Sequence, residues 1–451
     1  MINSETTRMT RYVLFTLILT ANICQGQLQQ NYTLREVVEL AMKNNLNVKR
    51  SAAAMKIEKV NYSQARSNLL PSLNVEIYHG LNAGRSIDPS TNSFVNQNVN
   101  GGNYIAASNL TLFNGGLLRN RVRQGALAFE AGTLEWRQAR DELVLNVILT
   151  YLSVLNNSDQ LELAIRQSET SRSALERLML LDSAGAVRPS DVSDLRGQLM
   201  NDELNIVNAR NQLNSSKLLL AQLINVRFDT AMQVERIERD EFFIPYQYEL
   251  QEIVDSSMKH FSQVMAIESR TKSSEYNVRA TKGLLYPRLF IDAGISSRYS
   301  SLAENAGVKM TYPDQLKNFK NTFVELGLVI PIFNRSYAKN QLRIAELQLE
   351  DQRLLESDTK RQVIQQIDRA FMDMNNAYDR YILLISQVTS YEKSFKAAEV
   401  RFKAGVGNSI DYLTVKDRYD RASINLVNAQ YEYLLRKRIL DYYSGRSQFA
   451  R

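Results

Sequence analysis

The chain has 451 residues, with 55 Lys and Arg against 48 Asp and Glu, a net charge of +7. Its basic residues are scattered among acidic ones along the chain rather than clustered with aromatics, which argues against a nucleic-acid surface. Seven prolines and 18 glycines are few for this length and fit a mostly helical chain. The one cysteine, Cys24, allows neither a disulfide nor a thiolate metal site.

In chain order, Arg8 and Arg11 precede an apolar run from Tyr12 to Ala21, and Cys24 and Gly26 stand at the −3 and −1 positions before Gln27. This predicts a secretory signal peptide over residues 1–26. The run is short for a membrane-spanning helix, which takes about 20 residues. Cys24 is also weighed as a lipidated N-terminus, but Ile23 fits that cleavage poorly. Thr33 and Glu36 predict a capping box at the start of a short helix. A second helix follows from about Leu46 and ends before Pro71. Leu73, Val75 and Ile77 alternate with polar residues as in a half-buried strand. A polar loop over about 82–103 leads to a second alternating strand, Tyr104 to Leu112. A long helix is predicted from Leu117 to about Asp182, a turn at Gly185, and a further helix from Ser190-Asp191 to about Ile224, with Pro189 ahead of it.

The same order then recurs. A linker over 227–247 leads to two helices, the second ending before Pro287. Two alternating strands, 289–296 and 323–330, flank a polar loop containing Pro313. A stretch from Asn334 to Ala404 then runs without proline or glycine, about 100 Å long as a helix. Its apolar residues Val363, Ile367, Ala370, Met374, Ala377, Tyr381, Leu384 and Val388 form a heptad seam for coiled-coil packing. Asp411 opens the last helix, to about Tyr443. Pro71 and Pro287 lie 216 apart; Phe113 and Phe333, Gly185 and Gly405, and Asp191 and Asp411 all lie 220 apart. These offsets predict a tandem duplication: repeat 1 over 27–226, with a β-hairpin at about 72–113 and a helical tip near 184–190, and repeat 2 over 248–444, with a β-hairpin at about 288–333 and a tip near 404–410. Residues 445–451 form a tail.

Each strand has one apolar face, and long helical rods cannot cover a small sheet. Lipid can stand in for the missing core in a transmembrane β-barrel, but four strands cannot close one, since the smallest have about eight. Edges open to lipid are excluded by their unpaired backbone groups. The residues therefore imply an oligomer that pools strands; two, three or four copies all satisfy this. The competing readings are a structural or adhesive helical envelope protein without channel activity, and an enzyme. The enzyme reading is set aside because His79 and His260 have no metal-site spacing and no glycine-rich phosphate loop follows a strand. No cofactor is expected.

Leu69-Leu70-Pro71, Leu284-Leu285-Tyr286-Pro287, the run Leu-Thr-Leu-Phe-Asn-Gly-Gly at 110–116, its echo Ile-Pro-Ile-Phe-Asn at 330–334, and the turns at 184–191 and 402–411 together resemble the TolC-like outer-membrane efflux proteins. The resemblance implies a mainly α fold with a small β part, in a Gram-negative cell. Three chains would build a 12-stranded barrel in outer-membrane lipid and an α-helical barrel in the periplasm. This homotrimer would be an exit duct with porin activity, loaded through a periplasmic adaptor (membrane fusion protein) by an inner-membrane pump of RND, ABC or MFS type. The resemblance also implies a periplasmic gate at the hairpin tips. Asp411 stands at the first position of the family's acidic pair, Thr414 near the second, and Gly407 where a basic gate-bridging residue can sit. Ser190 and Asp191 fill the matching tip of the first half, with helix capping as the competing role for Asp191 and Asp411. Gly185 and Gly405, each preceded by Ala, mark the turns expected to meet the adaptor.

Overall fold

The computed structural model describes residues 31–88, 92–185, 187–236 and 244–445. The expected signal peptide, with Cys24, and the tail beyond Gly445 lie outside the described residues. In chain order the elements are β1 (Asn31–Tyr32), α1 (Leu34–Asn44), α2 (Leu46–Ser67), β2 (Asn74–Asn82), β3 (Arg85–Ile87), β4 (Phe94–Asn96) and β5 (Val99–Asn114). There follow α3 (Leu117–Ser183), α4 (Pro189–Leu223), β6 (Gln233–Val234), α5 (Leu250–His260) and α6 (Ser262–Lys282). The chain continues with a 3-10 turn (Gly283–Leu285), β7 (Arg288–Ser300), β8 (Glu304–Asn305), β9 (Val308–Lys309), α7 (Tyr312–Asn318) and β10 (Asn321–Val329), and ends on α8 (Tyr337–Lys403) and α9 (Ser409–Tyr443). Among the described residues no helix is long and apolar enough to cross a membrane.

The chain divides into two compact units. One comprises Lys49–Gln138 and Met258–Val363. It holds a four-stranded antiparallel sheet in the order β10-β7-β5-β2. Register sorts its side chains. Val75, Ala106 and Ile295 share one face with the rows Leu110–Ile291–Leu326 and Ser108–Ala293–Val324. Over these rows the face is exposed, with Val324 75% and Leu326 67% accessible, while at its far end Tyr312 packs against Tyr104 and Tyr299. The opposite face carries Glu76 and the row Asn109–Asp292–Glu325, with Asn109 Nδ2 donating to Asp292 Oδ1 at 2.6 Å. Here Phe323 covers its cross-strand partner Gly294, where a Cβ would fall 2.7 Å from the Phe323 ring. Within this unit α2, α3 and α6 are clamped by Arg270, which donates to Glu58 Oε1 at 2.8 Å and to both oxygens of Glu135 at 2.9 Å.

The other unit comprises, among the described residues, 31–48, 139–257 and 364–445. Thr33 and Glu36 form the expected capping box of α1. Tyr151, fully buried, sets its hydroxyl 3.0 Å from Tyr32 O and 2.7 Å from Glu235 O. The heptad seam of α8 is buried from Val363 to Leu384, and Val388 is half-buried. Leu143, Val147, Tyr151 and Val154 of α3, 220 positions before Val363, Ile367, Phe371 and Met374, are buried as well. α3 and α8 each have 67 residues, and α4 and α9 each have 35.

The loop expected over 82–103 instead carries the β3–β4 ribbon, and β5 starts at Val99. Backbone pairing with β2 sets that start, so side-chain alternation did not reveal it. Pro313 lies in the first turn of α7, capped by Thr311, within a second stretch expected as loop. Asn114 is followed by Gly115 and Gly116 with φ of 64° and 80°. Arg335 and Ser336, 220 positions on, adopt φ of 53° and 61°. Left-handed backbone costs a non-glycine residue about 1–2 kcal/mol. A Cβ at Gly115 would also fall 2.6 Å from the carbonyl oxygen of Gly283. Ser336→Gly is therefore expected to raise the unfolding free energy by about 1 kcal/mol, and Gly115→Ala to lower it by about 2–4 kcal/mol. Thermal melts of the purified variants check both signs.

Candidate functional site at the hairpin tips

Helices α3 and α4 form one hairpin and α8 and α9 the other, and both turns share a design. Gly185 N donates to Asp182 O at 2.8 Å, with Gly185 at φ 67°. At the second turn Gly405 N donates to Phe402 O and Val406 N to Arg401 O, a Schellman motif with Gly405 at φ 75°. A Cβ at either glycine would meet nothing within 4 Å, so backbone conformation alone selects glycine there.

The helices that leave these turns start one or two residues earlier than expected. Pro189 is the first residue of α4, and its cap position is Arg188, which makes no side-chain cap bond. In α9 the cap is Asn408, whose Oδ1 accepts from Asp411 N at 2.7 Å. Asp191 and Asp411 are therefore not caps but third residues of their helices, where a carboxylate still favours the positive helix end. Asp411 and Thr414 are exposed and, three residues apart, share one face of α9. Ser190 is exposed and Gly407 half-buried.

The structure brings Asp191 to a partner that sequence reasoning missed. Buried Ser409 sets its Oγ 2.7 Å from Asp191 Oδ1 and 3.1 Å from Asp194 Oδ2, so one hydroxyl proton serves two carboxylates and joins the two tips. Arg177 crosses between the same hairpins, donating to the carbonyl of Lys403 at the end of α8 at 2.8 Å. Behind these contacts lies an apolar core of Leu175, Leu178, Val192, Leu195, Leu199, Phe395 and Tyr412. Phe402 stacks on Tyr412 at 4.7 Å, and Phe395 on Tyr419 at 5.5 Å. Burial raises the Tyr412 hydroxyl far above the ordinary tyrosine range, so it stays neutral. A groove of about 490 Å³ between the hairpins is lined by Arg166, Thr170, Arg177, Glu399, Phe402 and Tyr412. About two turns along α9 from Ser409, Lys416 is buried between Asp202 of α4 and Asp420 of its own helix, at 3.1 and 2.6 Å. Only the spacing of Lys416 and Asp420 was visible in the sequence; Asp202 lies 214 positions away. Among the described residues no group of three or more His, Cys, Asp or Glu is placed to hold a metal ion.

A sheet with one exposed apolar face, carried on a chain with two long helical hairpins, is the fold of outer-membrane channel subunits. The solved structure of the outer membrane protein VceC from Vibrio cholerae matches with a TM-score of 0.78 at 16% identity, covering 91% of this chain and 96% of that one. The chain belongs to the outer membrane efflux protein family, whose model matches residues 37–226 and 255–446. It is 26% identical over 419 residues to outer membrane protein TolC of Escherichia coli (strain K12), covering 91% of this chain and 81% of that protein. It is also similar to alkaline protease secretion protein AprF of Pseudomonas aeruginosa, 20% identical over 72% of this chain and 66% of that protein. It is thus an outer-membrane protein of the efflux and secretion channel class.

Ser409→Val should leave Asp191 and Asp194 side by side without their shared donor, at a cost of about 1–3 kcal/mol. A lowered melting temperature, with faster proteolysis at residues 184–190 and 404–410, checks this.

Proposed function

We propose that three copies of this chain form a passive exit duct across the outer membrane, through which an inner-membrane pump and a periplasmic adaptor export small molecules or proteins. The observation that carries this reading is the sheet: among the described residues strands β2 and β10 keep an unpaired edge each, and the face between them carries exposed apolar side chains. Lipid satisfies the face, and only strands from further copies satisfy the edges. Three chains of four strands give a 12-stranded barrel, with the helical hairpins forming an α-barrel in the periplasm. The equal lengths of α3 and α8 and of α4 and α9 support a tandem duplication, with repeats over 27–226 and 248–444 joined by a linker over 227–247. So does left-handed backbone at both 115–116 and 335–336, which persists where glycine has been replaced.

The hairpin tips are read as the periplasmic entrance. Asn408 takes the cap, which leaves the exposed Asp411 carboxylate free to line it. Thr414 adds no charge and Gly407 no side chain, so the ring holds three carboxylates from three copies. The turns at Gly185 and Gly405, with Val406 80% exposed, are read as the adaptor contacts. The duct performs no chemistry, so export takes its direction from the pump.

Purified full-length chain in planar bilayers should conduct ions without nucleotide, with divalent cations partly blocking current from the entrance side. Asp411→Ala should weaken that block several-fold. Recovery of a soluble, non-conducting monomer would contradict the duct; a conducting channel with unchanged block in Asp411→Ala would remove Asp411 from the entrance.

A further inference from the structure

The Lys416 node has no place in the duct reading so far. Lys416 is 1% exposed, Asp202 4% and Ser171 1%. Asp202 is fully served: Oδ2 accepts from Ser171 Oγ at 2.5 Å and from Lys416 Nζ, and Oδ1 accepts from Gln198 Nε2 at 2.8 Å. Among the described residues the Asp420 carboxylate, 14% exposed, accepts from Lys416 Nζ. One ammonium thus faces two carboxylates, leaving an uncompensated negative charge in a buried site when both are ionised. The node ties α3 and α4 of one hairpin to α9 of the other, beside the apolar tip core.

We propose that Lys416, Asp202 and Asp420 form a pH-sensitive fastener between the two helical hairpins, tightest when Asp420 carries a proton. Protonating Asp420 removes the excess charge and leaves a neutral Lys416–Asp202 pair, with the Asp420 carboxyl kept as a hydrogen-bonding group. Burial pushes the Asp420 carboxyl above the usual carboxylate range, and the nearby Asp202 and Asp417 push it further, while Lys416 pulls it back. The sign follows from linkage. A carboxyl whose folded pKa exceeds its unfolded one supports the closed packing fully below the unfolded pKa and loses that support as pH rises through the folded pKa. Among the described residues no second cation pairs with Asp420. From α3 the contacting groups are the uncharged Gln167, whose Nε2 donates to Asp420 O, and Ser171 on Asp202. α4 brings Asp202, and α8 brings Glu399, whose charge acts on Tyr412. α9 itself brings Tyr412 and Asp417, and Asp417 is held by Arg421.

The consequence for an entrance rests on the duct reading; the fastener itself does not. The test is hydrogen exchange of residues 409–423 in the full-length chain from pH 3.5 to 8, corrected for the intrinsic pH dependence of exchange. Opening of this segment should rise several-fold across the range in the parent as Asp420 ionises. Asp420→Asn, uncharged at every pH, should hold the low-pH protection throughout. Lys416→Met, which strands both carboxylates, should exchange faster than the parent at pH 8. A flat parent profile overturns the proposal without any variant, and so does an Asp420→Asn profile that rises like the parent's. Conduction by a chain with a flat profile would sink the fastener alone; a rising profile in a non-conducting chain would sink the duct alone.

Discussion

The structure depends on the backbone of two strands. β2 and β10 bound a four-stranded sheet, and each leaves its outer edge without a strand partner among the described residues. In water such edges are tolerable; next to lipid every unpaired group costs several kcal/mol. The face between them cannot return to water cheaply either. Val75, Ile77, Val324, Leu326 and Leu328 are all exposed, and each would bring about 1.5–3 kcal/mol on full burial. In the proposed duct, membrane and oligomer are one requirement, since the environment that satisfies the face is the one that forbids the edges.

The opposite face of the same sheet shows how a small sheet survives without a core beneath it. Asn109, Asp292 and Glu325 stand in one cross-strand row, where two adjacent carboxylates would repel but for the amide of Asn109 bonded to Asp292. Phe323 and Phe290 lie over Gly294 and Gly327, so large rings replace the missing side chains of their partners. In the helical unit the solution differs. Apolar seams bury Val147, Tyr151, Ile367 and Tyr381; buried Lys416 pairs with Asp202, and buried Lys217 donates to the carbonyl oxygen of Thr230. The tips combine both habits: a stacked aromatic core with a polar contact at its margin, Ser409 on Asp191 and Asp194.

Much of this was legible in the sequence because it is written in local periods. The seam from Val363 to Leu384, the capping box at Thr33 and the glycines that turn the hairpins obey rules spanning at most a few helical turns. Alternation located all four sheet strands but shortened β5, since its first residues are ordered by pairing with β2 and not by their own side chains. The helix starts at Arg188 and Asn408 were misplaced because an Asp just after a turn suits either a cap or the third helical position. The contacts that join the hairpins were out of reach. Ser409 meets Asp191 across 218 positions and Lys416 meets Asp202 across 214, and no period in one chain encodes such a pairing.

The central claim is that β10 of one copy completes the sheet at β2 of the next. The most direct measurement is oxidative cross-linking in membranes, in a Cys24→Ser background, of Ile77→Cys combined in turn with Val324→Cys, Leu326→Cys and Leu328→Cys. Within one chain β2 and β10 are separated by two strands, about 14 Å, which is beyond disulfide reach. The account predicts that one of these pairs yields a covalent ring of three chains on a denaturing gel. A chain that reaches the outer membrane yet stays monomeric with all three pairs would contradict it.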